Sequence, residues 1–295
     1  MGGISLNRLS QLAIAWALLL VVCASAGRAQ DSARLLATSG VSQIEGAAGG
    51  GLAPWAVISG YGTRDAIGGT LHGTYVALPD FALSSVGASI GLYDRLELSY
   101  AHEWFDTGNA GARLGVGRGY QFNLDVVGAK LRLIGDAVWD QDRWLPQIAI
   151  GAQFKAAGSH ALLASLGASS PDGADVYIAA TKLFLAQSLL VNATVLATRA
   201  NQFGLLGFGG DRNRTYSAQF EGSAALLLRR WLAVGGEVRT KPDNLGFAAE
   251  GTAFDAFVAC FLGKHLSATL AFLALGPIAR QGDQNGVYLS LQTGF

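Results

Sequence analysis

The final nine residues, Val287-Tyr288-Leu289-Ser290-Leu291-Gln292-Thr293-Gly294-Phe295, change character at every step. Successive side chains of a strand point to opposite faces. Val287, Leu289, Leu291, Thr293 and Phe295 therefore share one face, and Tyr288, Ser290, Gln292 and Gly294 the other. The same period runs through 216–228, where Tyr216, Ala218, Phe220, Ala224, Leu226 and Leu228 oppose a face that begins Ser217, Gln219, Glu221, Ser223. It recurs in 95–105, with Leu96, Leu98, Tyr100 and Trp104 against Glu97, Ser99, Ala101 and Glu103. An apolar face opposite a polar one over about ten residues is the pattern of a strand between lipid and a polar lumen.

Composition points the same way. Half the chain is hydrophobic and only 14% is charged, against about 25% in a soluble domain. After residue 30 no apolar run approaches the roughly twenty residues of a membrane helix. High hydropathy without helical spans leaves the closed barrel, because backbone polar groups must be paired inside hydrocarbon. A soluble β-sandwich is the alternative, and the low charge fits it badly. The formal net charge is zero, which gives no argument for nucleic acid.

Residues 1–29 read as a cleaved export signal: Arg8, an apolar run from Leu12 to Val22, then small residues up to Ala29. Bulky Val22 argues against lipidation of Cys23. Cleavage leaves Cys260 alone, so no disulfide framework exists.

Residues 30–295 then form one domain, an all-β transmembrane antiparallel barrel of about fourteen strands. The strands are expected near 35–45, 52–62, 67–77, 82–92, 95–105, 121–134, 145–156, 174–184, 189–199, 215–228, 231–240, 252–262, 265–275 and 286–295. Twelve is the alternative, if 35–62 does not supply the first hairpin. Both termini are placed in the periplasm, with external loops at 46–51, 78–81, 106–120, 157–173, 200–214, 241–251 and 276–285. Within 121–134 the apolar phase switches after Val126, which predicts a bulge there; Tyr177 and Ile178 compete for the lipid face. Tyr61, Tyr93, Trp144, Trp231 and Phe295 are expected in one interfacial girdle and Trp104, Phe105, Tyr120 and Tyr216 in the other.

The terminal strand resembles the signal read by the bacterial outer-membrane assembly machinery, carried by Tyr288, Leu289, Leu291, Thr293 and Phe295. Gly46 to Phe295 further resembles a family of proteobacterial proteins catalogued as a domain of unknown function, number 3034. The resemblance rests on Val41 to Leu52, Gly60 to Asp65, Leu92 to Ser99 and Asp140 to Gln147. It implies residence in the outer membrane of a Gram-negative bacterium, amid its lipid, and no known activity.

Chemistry is sparse. The phase of each strand projects Glu97, Glu103, Lys130, Arg132, Lys155, Glu221, Glu237, Arg239, Lys241 and Asp255 into the lumen. Such charges either line a watery pore or pair across it and plug it. The first account gives a narrow passive channel or uptake barrel for a small solute, and small lumen-side residues such as Gly151, Ser223 and Gly235 leave room for one. The second gives a plugged structural or interaction barrel. His265-Leu266-Ser267 resembles the His-x-Ser arrangement of outer-membrane phospholipases, which makes a membrane-embedded lipid hydrolase the third and least favoured reading; it falls at the wrong end for that reaction, so no enzyme is expected. No cofactor and no metal site is expected either, since no pair among the four His has ligand spacing. Gly49-Gly50-Gly51 reads as a tight loop, and His102 and Cys260 as lipid-side residues.

Overall fold

The computed structural model describes residues 40–263 and 265–295; the expected export signal lies outside them. Two short strands, β1 (Val41–Ser42) and β2 (Ala48–Gly49), pair with each other. The next twelve strands form a closed antiparallel barrel in simple chain order. They are β3 (Ile67–Ala77), β4 (Ala82–Leu92), β5 (Leu96–Asp106), β6 (Gln121–Ile134), β7 (Gln147–Ala157), β8 (Asp172–Phe184), β9 (Leu189–Thr198), β10 (Ser217–Arg229), β11 (Leu232–Arg239), β12 (Ala253–Phe261), β13 (Leu266–Ile278) and β14 (Gln281–Gly294). The terminal stretch closes the barrel: β14 pairs with β3 from Val287↔Ala77 to Gly294↔Thr70. Closure leaves no sheet edge unpaired.

The outward phase is apolar all round. Leu98, Tyr100, Val127, Phe154, Ile178, Val195, Phe220, Leu226, Phe254, Leu270, Phe272, Leu289 and Phe295 are each exposed, which in water would be an untenable apolar area and in lipid is the expected belt. Connections at one end are 93–95, 135–146, 185–188, 230–231 and 262–265, and the C-terminus lies beside them. The other end carries 78–81, 107–120, 158–171, 199–216, 240–252 and a tight turn at 279–280. These are called the short-turn and long-loop ends below.

Several expectations need correction. The barrel has twelve strands, the stated alternative, because the strands expected over 35–45 and 52–62 are absent from its wall. No bulge occurs at Val126: β5 and β6 stay in register from Leu96↔Leu131 to Asp106↔Gln121. Phe122, Leu124 and Val126 point into the lumen and are buried, so the phase switch records an apolar stretch of lumen. Ile178 takes the lipid face and Tyr177 the lumen. The loop expected over 276–285 is mostly strand, turning at Ala279–Arg280, both with positive φ. Tyr61 and Phe105 leave the girdles and turn inward, whereas Tyr93, Trp144, Trp231 and Tyr216 are exposed.

Residues 40–62 lie inside the barrel, and Gln43, Trp55, Ala56 and Ile58 are among its most buried residues. They form an arch. One foot is held where the Ser42 amide donates to Gln292 Oε1 and Ser42 Oγ meets Thr70 Oγ1 at 3.3 Å. The other is held where the Tyr61 amide donates to Phe295 O at 2.9 Å. Both feet therefore stand towards the short-turn end. The crown reaches Lys155 and Ser85, near the long-loop ends of their strands.

Candidate functional site

The site is the lumen with the arch in it. Twelve strands enclose too narrow a space to hold an arch and a wide water column together, so wall side chains become partners for the arch's backbone. Near the short-turn end, Lys130 and Glu97 form an ion pair of 3.0 Å, both about 1% exposed. Lys130 Nζ also donates to Ala48 O (2.9 Å) and Val57 O (2.8 Å). Glu97 accepts from the Ala48 amide at 3.0 Å and the Ser59 amide at 2.8 Å. One pair thus ties Ala48 to Val57 and Ser59, two stretches of the arch separated in sequence. A buried ion pair recovers its desolvation cost only when further hydrogen bonds complete it, and here the arch's backbone supplies them.

Neutral groups from β7, β8 and β9 add to the hold towards the same end. Gln147 donates to Ala56 O, Thr181 accepts from the Ala56 amide, and Asn192 and Thr194 reach Pro54 O. Trp55 Nε1 donates to Ser223 Oγ at 2.9 Å. Ser223 in turn donates to Glu237 Oε1, while Glu237 Oε2 accepts from the Leu52 amide at 2.7 Å. Two of the three glycines in the run are close to neighbours: a Cβ at Gly49 would stand 2.2 Å from Ala53 O and one at Gly50 1.9 Å from Glu237 Oε1. The backbone approach at Gly49 requires glycine there, whereas Glu237 could swing from Gly50 only by giving up its bonds to the arch.

At the crown Glu45 meets two cations. Lys155 Nζ lies 2.7 Å from Glu45 Oε1 and 2.8 Å from Asp175 Oδ2. Arg239 contacts Glu45 at 3.1 Å and Glu221 at 2.7 Å, and donates to Leu52 O at 3.0 Å. Lys155 also donates to Phe203 O (3.1 Å), and the Arg239 guanidinium stands 4.3 Å from the centre of the Phe203 ring. The cations that hold the arch thus also hold the long loop 199–216.

The structure gathers Glu97, Lys130, Lys155, Glu221, Glu237 and Arg239 around the arch. Asp255 accepts from the Glu237 amide at 3.0 Å. Glu103 is buried in the lumen, with Oε1 lacking a hydrogen-bond partner among the described residues. Two residues stand apart. Arg132 is taken up at the short-turn rim by Asp94, Asp136 and Gly135 O. Lys241 belongs to a long loop, pairs with Glu250 at 3.1 Å and donates to Leu275 O. Burial pushes the Glu250 carboxyl up to about 7, against the pull of Lys241, and the same burial lowers the Lys241 ammonium.

The sequence reading did not anticipate the arch, Glu45, Asp175, or the apolar outer third of the lumen. There Val76, Leu83, Phe105, Phe122 and Leu273 face inward and pack beneath Phe203, Leu205 and Leu206. They leave a cavity of ≈ 60 Å³ that Ile44 and Leu52 of the arch floor.

Tyr288 turns into the lumen beside Gly51, whereas Leu289 and Phe295 face outward. His265 Nδ1 is engaged by Gly294 O at 2.7 Å, and Ser267 is buried in the wall. His102 lies on the outer face, bonded through Nδ1 to Asp125 (2.7 Å). Cys260 is half-buried on that face.

Comparison with known proteins adds a family and a fold. A family model described as "Protein of unknown function (DUF3034)" matches residues 38–292. No curated protein matches the chain in sequence. Among solved structures, the KdgM porin is similar at 10% identity with a TM-score of 0.50, covering 77% of this chain and 99% of the porin. The KdgM porin in complex with disordered oligogalacturonate gives 11% identity, a TM-score of 0.50 and coverage of 77% and 99%. The NanC porin gives 10% identity, a TM-score of 0.49 and coverage of 76% and 98%. At these identities the likeness is one of fold: an outer-membrane β-barrel.

Proposed function

The chain belongs to the family of proteins of unknown function DUF3034, and we propose that it is an outer-membrane channel for a small solute, closed at rest by its own N-terminal arch. The apolar belt sits in outer-membrane lipid, the short-turn end faces the periplasm and the long loops face outward. The outward side chains of the last strand, Leu289, Leu291, Thr293 and Phe295, are what the assembly machinery reads. No enzymatic role is proposed.

One observation carries the reading. The arch is held to the wall by hydrogen bonds and ion pairs from side chains, and both its feet stand at the short-turn end. An insert with both feet on one side can leave and return without threading past the roof. A permanently sealed structural barrel is favoured by a different feature, the completeness of the Lys130–Glu97 clamp on Ala48, Val57 and Ser59.

The test compares single-channel conductance of the full chain with that of a chain lacking 41–58, after gel mobility and circular dichroism verify the folded barrel. The channel reading expects a mostly silent full chain with rare openings and a steadily conducting deletion. A full chain that never opens supports the sealed barrel. A folded deletion that stays silent rules out the arch as the closing element.

A further inference from the structure

Resting on that reading, we infer that the outer third of the lumen is a binding site for a small apolar solute of aromatic or hydrocarbon type, and that Phe203 is the side chain such a solute displaces. Three independent features meet there.

The first is the lining. A path for sugars or ions keeps polar groups at hand, since a hydrated solute gives up water only where the wall replaces it. Here the wall beneath the roof is Phe105, Phe122, Leu83 and Leu273, with Thr107, Gln202 and Arg239 the polar residues among an otherwise apolar lining. Dry apolar cavities retain apolar guests.

The second is the backbone at the roof. Gln202 has φ +45° and Phe203 φ +64°. Two successive non-glycine residues in the left-handed region are strained, and such strain collects at ligand clamps and switches. The long-loop contacts hold Phe203 there: its carbonyl accepts from Lys155, and its ring lies 4.3 Å from Arg239 and 5.3 Å from Lys241.

The third is size. The cavity of ≈ 60 Å³ is well below the roughly 150 Å³ known to admit benzene. A ring-sized guest therefore fits only if the Phe203 side chain gives up its place, so occupancy and the present roof are mutually exclusive. Phe203 shares Lys155 and Arg239 with Glu45 of the arch. Displacing its ring takes that ring from Arg239 and, as the strained 202–203 backbone relaxes, its carbonyl from Lys155, the two cations that hold Glu45. Binding at the outer mouth is thereby coupled to release of the arch, and by linkage release of the arch must tighten binding.

Toluene is the probe, titrated into the full chain in nanodiscs and followed by ligand-observed NMR, with empty nanodiscs subtracted. Saturable binding is expected, weakened at least tenfold by Phe105→Asn or, should that variant misfold, by Leu273→Thr, and tightened several-fold by Phe203→Ala. Glycerol at equal concentration should not compete. No saturable component above empty discs, or an affinity untouched by the wall substitutions, overturns the site. In planar bilayers toluene should raise the opening frequency of the full chain and leave the chain lacking 41–58 unchanged; an unchanged full chain overturns the coupling. A conducting deletion with no saturable toluene binding defeats this inference alone. Saturable binding by a chain whose folded deletion is silent defeats the channel reading and keeps the site.

Discussion

The inner two-thirds of the lumen and its outer third are both filled, but by opposite chemistry. Inside, wall side chains bind the backbone of the arch through Lys130, Glu97, Gln147 and Glu237. Outside, wall side chains bind the loops through apolar contact of Phe105, Phe122 and Leu273 with Phe203 and Leu206. Hydrogen bonds and ion pairs are directional and fail together when one partner is lost. Apolar packing loses free energy in proportion to the volume removed. The arch is therefore a latch that is either engaged or not, while the roof is a graded lid, and each should respond to substitution in its own manner.

The sharpest break of that contrast is at Lys155. Lys155→Met leaves Asp175 buried without its cation and Glu45 with Arg239 alone, a loss of about 3–5 kcal/mol when one partner of a buried pair is removed. Proteolysis of the arch in folded barrels should rise steeply, while roof protection falls less, through loss of the single Lys155–Phe203 O bond. Equal loss in both regions would show that they are one unit.

Leu273→Ala works from the other side. It enlarges the apolar cavity at a cost of about 2–5 kcal/mol, expected in the hydrogen-exchange protection of loop 199–216 with the Ala48 and Leu52 amides little changed. Simultaneous exposure of those two amides would contradict the separation.

What could be read beforehand divides along the same line. Strands 67–77 and 82–92 are legible to the residue, because a wall between lipid and a polar interior writes its period into the sequence. The arch could not be read. Val41, Ile44, Leu52 and Val57 are buried on every side, and a segment enclosed all round shows no period of two. Its partners were half-legible: the phase put Glu97, Lys130 and Glu237 in the lumen, but what they bind is backbone carbonyl and amide, which leaves no trace in residue type. Phe122 to Val126 carried the one hint of an apolar outer lumen, in a phase switch equally well read as a bulge.

A smaller effect comes from pH at the roof. Glu250 titrates in the folded loop at about 7, raised by burial against the pull of Lys241. A raised carboxyl contributes stability fully present below its unfolded value, near 4.5, and lost as pH climbs through the folded value. Protection of loop 199–216, corrected for intrinsic exchange, should fall between pH 5 and pH 7.5, by up to about tenfold per pH unit, and Glu250→Gln should flatten the profile. A rise over that window would reverse the assignment. The smallest change is expected on the lipid face, where Leu289→Val should alter neither region by more than about 0.5 kcal/mol, measured by the same exchange experiment.

The account rests on movement of the arch, and a reversible tether tests it most directly. Ser42 Oγ and Thr70 Oγ1 lie 3.3 Å apart, so Ser42→Cys with Thr70→Cys, in a Cys260→Ala background, can join the arch to the wall by a disulfide. Glu45→Gln, added to loosen the crown, should give frequent openings in single-channel recordings under reducing conditions. Oxidation should abolish those openings and reduction should restore them. Openings that continue unchanged with the disulfide formed would mean that the arch is not the gate.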